Sequence, residues 1–97
     1  MSTPEIRRLV VISTSHVSDK TAKLLDYTKA HQWPCRGGPY REFGWFVYAQ
    51  PENERAGRDA VPDDLFAVMQ WAQANGFDYI LFDCDAEAVD ELATYDW

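Results

Sequence analysis

Basic residues almost vanish from the second half of this chain. After Gln50 only Arg55 and Arg58 stand against twelve carboxylates, and the last twenty residues hold seven acids and no base. Residues 1–50 carry seven bases against four acids, formally +3, so the second half stands at −10 and the chain at −7. That asymmetry bears on partners rather than on fold. It disfavours nucleic acid as the ligand of the acidic half and favours a basic partner surface or a cation. Cysteine is also scarce. Cys35 and Cys84 lie far apart, and two thiols build no disulfide framework. Cys35, His31 and His16 contain no C-x-x-C or H-x-x-x-H pair, which argues against zinc. No apolar run approaches the ~18 residues of a transmembrane helix. The N-terminus, Met1 to Arg8, has no apolar signal-peptide centre. A reduced, cytoplasmic protein that does not enter membranes is the expectation.

What remains fits one α/β domain over residues 1–97, with 1–7 as a loose lead-in. The 46% hydrophobic content suffices for one core without staples. Arg8 to Ser13 is a short β-branched run that reads as a buried strand. Ser18 suits the N-cap of a helix from Asp19 to about His31, with Val17 and Ala22 placed for a hydrophobic staple. Trp33 to Tyr40 contains two prolines and two glycines and reads as a connector. Glu42 to Ala49 is an aromatic, β-branched strand. Glu52 to Ala60 reads as a mobile loop. Pro62 suits the first position of a second helix, with Asp63 and Asp64 in its first turn, Leu65, Val68, Met69 and Ala72 on one face, and Gly76 at its stop. Phe77 to Asp83 is a third strand. The acidic stretch from Cys84 to Ala93 has room for one helical turn, and Thr94 to Trp97 for a short edge strand. The order β-α-β-α-β(-β) predicts a sandwich of two or three layers with a small mixed four-stranded sheet and two helices.

Two polar constellations invite chemistry. The loop Ser13-Thr14-Ser15-His16 leads towards a helix N-terminus, where hydroxyls and backbone N–H groups can hold phosphate, but it lacks the glycines of the usual phosphate loops. Asp83-Cys84-Asp85 closes a strand at the end where α/β proteins place ligands. If the first and third strands are parallel neighbours, Ser13 and His16 face Asp83 and Asp85 across one rim. That group would suit a small hydrolase, or a phosphate or Mg²⁺ site. The bland alternative is local capping and an aspartate bonding its own backbone. Cys84 lies between two acids, the wrong surroundings for an activated thiol. Arg36 and Arg41 interleave with Trp33, Tyr40, Phe43, Trp45, Phe46 and Tyr48, but two arginines are few for stacking nucleic acid, so direct nucleic-acid binding is not expected.

The acids Asp78, Asp83, Asp85, Glu87, Asp90, Glu91 and Asp96 form a spaced row. On one surface they would present to a basic groove a charge pattern like that of a phosphate backbone. The bland alternative is a solvated face that aids solubility.

Leu9-Val-Val-Ile-Ser-Thr-Ser-His-Val17, Thr21-Ala-Lys-Leu-Leu-Asp26, Phe43-Gly-Trp-Phe-Val-Tyr48, Asp78-Tyr-Ile-Leu-Phe-Asp-Cys-Asp85 and Tyr95-Asp-Trp97 together resemble a family of small bacterial proteins filed as a domain of unknown function. The resemblance spans residues 9–97. Ala86 departs from it, standing where a glycine is expected after the second aspartate. The family is met on plasmids, prophages and integrated elements. The resemblance brings no activity and implies an accessory protein of mobile DNA that binds host proteins, defence nucleases among them.

These readings converge on a non-enzymatic acidic interaction module, of the counter-defence type represented by anti-CRISPR and antirestriction inhibitors. It needs no cofactor and no metal. Its partner is a protein with a basic surface, such as a host defence nuclease complex, contacted through Asp83, Asp85, Glu87, Asp90, Glu91 and Asp96. The alternative is the rim enzyme or ligand site at Ser13, His16, Asp83 and Asp85. A third reading is a homodimer formed through an exposed edge strand or the aromatic strand.

Overall fold

The computed structural model describes residues 3–49 and 61–96. The strands are β1 (Leu9–Ser13), β2 (Gly37–Tyr40), β3 (Gly44–Tyr48) and β4 (Tyr79–Asp83), and the helices are α1 (Asp19–Tyr27) and α2 (Asp63–Ala74). Short 3₁₀ turns occupy Thr14–His16 and Ala30–Gln32. The sheet order is β1-β4-β3-β2, with β1 and β4 parallel and the other pairs antiparallel. This is the expected α/β fold with a mixed four-stranded sheet and two helices.

The fourth strand is not where the sequence suggested. Residues 94–96 form no strand, and the connector read between Trp33 and Tyr40 contains β2 instead. The location of β2 explains how Gly-Gly-Pro-Tyr can be a strand. It pairs only with β3, so Pro39 lies on an edge strand, where a missing N–H is tolerated. Gly37 is needed there, since its φ is +155° and a Cβ would lie 2.0 Å from the Phe46 carbonyl oxygen.

Alternation along the strands sorts their side chains between two faces. Ile12, Trp45, Val47, Ile80 and Phe82 share a buried core with Ala22 and Leu25 of α1 and with Leu65, Val68, Met69 and Ala72 of α2. Burying each large member contributes about 1.5–3 kcal/mol. Both helices therefore cover one face, giving two layers. The other face carries Leu9 and Val11, each nearly half exposed, beside a cluster of Phe46, Tyr48 and Tyr79 with ring centroids 4.9–5.8 Å apart.

Helix ends follow the capping chemistry, with two shifts. Ser18 caps α1 by accepting from the Thr21 N–H. The helix stops at Tyr27, four residues before His31. The indole of the buried Trp33 donates to the Thr28 carbonyl at 2.8 Å, satisfying one of the helix's terminal acceptors. Pro62 is the N-cap of α2 rather than its first residue. Gly76, at φ +79°, closes α2 in a Schellman motif: its N–H bonds the Gln73 carbonyl and the Phe77 N–H bonds that of Ala72.

No helix among the described residues is long and apolar enough to cross a membrane. The loop read over residues 52–60 lies outside the described residues, as does Trp97.

Candidate functional site

The parallel pairing of β1 with β4 brings two predicted site residues together, because Ser13 and Asp83 are register partners at the strand ends. Each is engaged locally. Ser13 Oγ accepts from the Ser15 N–H at 3.1 Å and lies 2.9 Å from Ser15 Oγ. Asp83 Oδ1 accepts from the Asp85 N–H at 2.9 Å, and the Ala86 N–H bonds the Asp83 carbonyl. This is the aspartate turn that the bland reading described. Ala86 closes it without positive φ, so the glycine expected there is not needed. The Cys84 N–H ties the turn to the Phe43 carbonyl. Donor atoms of Asp83, Cys84 and Asp85 lie within 4.8 Å of one another, but such exposed acidic groups also occur without a metal.

His16 does not play the part of a rim base. Its ring is buried, and both nitrogens are committed to backbone. Nε2 accepts from the Val89 N–H at 2.9 Å, which requires the proton to sit on Nδ1, and Nδ1–H donates to the Ala93 carbonyl at 2.8 Å. Neither nitrogen is left to orient on Asp83 or to activate Ser13. The reason is topological: the turn holding His16 faces the returning C-terminal segment, a neighbour 73 and 77 residues away that spacing could not reveal.

That segment becomes a fixed element by this means. A third bond joins the Tyr95 N–H to the Ser15 carbonyl at 2.9 Å. Val89 and Leu92 pack against the core. A turn from Val89 to Leu92 lies between the anchors, and no helix forms between Cys84 and Ala93. Held on this frame, Asp85, Glu87, Asp90, Glu91 and Asp96 are exposed, while Asp83 is half-buried. Among the described residues, none of the six forms an ion pair.

Two further features escaped the sequence. A rim cleft of about 240 Å³ is lined by Thr14, Asp26, Arg41, Glu42 and Cys84, with Asp26 accepting from the Trp45 indole at 2.8 Å. Arg41 sits in the left-handed region at φ +49°, a strained conformation for a residue with a Cβ. Asp64 caps the wrong helix from a sequence viewpoint. Its carboxylate accepts from the Ser18 N–H at 2.7 Å and the Thr21 hydroxyl at 2.8 Å, both in α1's first turn. Burial alone would push this carboxyl up, but the bonds from Ser18, Thr21 and Leu65 outweigh it and hold the group below the ordinary range. Its place in α2's first turn was visible in the sequence, whereas its partners lie 43 and 46 residues earlier. Cys35 is inert, since burial pushes its thiol up to about 12.

A family model described as the C-terminal domain of a family of unknown function, DUF5983, matches residues 9–97. The chain belongs to the DUF5983 family. No curated protein and no solved structure matches it. The DUF5983 match takes in β1, the pinned segment and every candidate site residue above.

Proposed function

We propose that this DUF5983 domain is a non-enzymatic interaction module whose C-terminal acidic segment docks on a basic protein surface. The observation that carries the reading is the anchoring of residues 89–95 by His16 and Ser15, which holds Glu87, Asp90 and Glu91 on a braced frame without cations of their own among the described residues. Fixed charges are worth more to a partner than charges on a floppy tail, because less side-chain and backbone freedom is lost on docking. Spaced carboxylates steer a basic surface and displace its counterions as a nucleic acid would.

In its finer form the partner is a nucleic-acid-handling protein, such as a host defence nuclease, and the domain serves a mobile element as a counter-defence inhibitor. The support for that form is the charge pattern together with the resemblance to accessory proteins of mobile DNA. The rim enzyme is the weaker reading, because His16 has no free nitrogen.

The test is capture of partners from a bacterial lysate at low and high salt, with wild type and with the triple reversal E87K/D90K/E91K. A basic protein held at low salt, released at high salt and lost from the reversed variant is the expected result. Equal capture by both forms contradicts the proposal.

A further inference from the structure

One cleft in this acidic molecule has no acid in its wall among the described residues. It measures about 580 Å³ and opens between the Ala30–Gln32 turn and the β2 side of the sheet, bordered by His31, Arg36, Gly37, Gly38, Phe46 and Tyr48. That volume lies within the range of sites for small organic ligands, about 300–1,000 Å³. None of the thirteen described acids borders it, and the one fixed charge present is cationic.

From the geometry we infer that this cleft binds a small organic anion with a flat, apolar body. Arg36 is the anchor. It is exposed, and its guanidinium has no hydrogen-bond or ion-pair partner among the described residues, so its fork of donors is available to a phosphate or carboxylate. Phe46 and Tyr48 form the apolar wall. They pack edge to face at 5.8 Å and 78°, which keeps the wall stiff. Gly37 and Gly38 leave bare backbone beside it, and a Cβ on Gly38 would meet no atom within 4 Å. The absence of side chains there keeps room for a ring against the sheet. This site is separate from the acidic segment, and it takes ligand of the opposite charge.

The head group has two sources, phosphate esters and carboxylates, and separate titrations distinguish them. Amide resonances of Gly37, Gly38 and Phe46 are followed while adenosine monophosphate, indole-3-acetate, inorganic phosphate and neutral adenosine are added to the intact chain. Saturable shifts at these amides with either aromatic anion, at least tenfold tighter than with phosphate or adenosine, are expected, and the tighter anion names the head group. Arg36→Gln should weaken binding at least tenfold. Gly38→Val should abolish it by filling the cleft, and the empty space at that position lets the variant fold. The proposal is overturned if neither aromatic anion gives saturable shifts at these amides, or if binding survives both substitutions unchanged.

Discussion

The Val89 N–H donates to Nε2 of His16 at 2.9 Å, across 73 residues of sequence, and this one bond sets the imidazole tautomer. With the proton on Nδ1, the ring can donate to Ala93 and so bridge two points of the C-terminal segment. Replacing His16 by Phe keeps a buried ring but deletes an acceptor and a donor. Each buried group left unpaired costs about 1–3 kcal/mol. The Val89 amide is then expected to exchange with solvent at least tenfold faster, while amides of β4 keep their protection. Hydrogen exchange read by NMR checks this, and unchanged Val89 protection would refute the pin.

Asp64 gives the fold an acid-sensitive joint. Its folded pKa lies below the unfolded value, near 3.9 for aspartate. The stability it contributes is therefore fully present above the unfolded value and is lost as pH falls through the lower folded one. Denaturant titrations between neutral pH and strong acid should show a decline in that window. Asp64→Asn should be less stable than wild type at neutral pH, and its acid decline should be shallower. Parallel curves for the two proteins would remove Asp64 from the account.

The two thiols should differ sharply in reactivity. Cys35 is 1% exposed and its thiol is pushed up to about 12 by burial, whereas Cys84 is exposed. A disulfide reagent at neutral pH is expected to label one thiol per native chain, and none in Cys84→Ser. The second thiol should react only in denaturant.

Gly44 is a fixed point of the β3–β4 pairing. A Cβ there would lie 1.7 Å from the Phe82 carbonyl oxygen, a backbone atom that cannot step aside. Gly44→Ala should destabilise the fold by about 1–3 kcal/mol, the cost of overpacking a tight site. Thermal melts measure this, with Gly38→Ala, which meets open space, as the harmless comparison.

Local signals carried much of this structure and failed where a distant partner decides. The Ser18 cap, the Gly76 stop and the apolar face Leu65, Val68, Met69 and Ala72 each depend on neighbours a few residues away, and each appears as read. The edge strand Gly37–Tyr40 was hidden because its composition argues against a strand, and only the pairing with β3 makes it one. The end of α1 is set by Trp33 reaching back to Thr28. Among the site residues, the parallel β1 and β4 did bring Ser13 opposite Asp83. His16 went elsewhere because its hydrogen-bond partners are backbone groups, which carry no mark in a sequence.

Carboxyl footprinting of the captured complex tests the central claim most directly. The domain is labelled with a carbodiimide and an amine, free and partner-bound, and modification is read at each acid. Docking through the braced segment predicts protection of Glu87, Asp90 and Glu91 on binding, with Asp19 and Asp63 unchanged. Protection at Asp19 or Asp63 with Glu87, Asp90 and Glu91 still fully labelled would place the partner elsewhere and contradict the account.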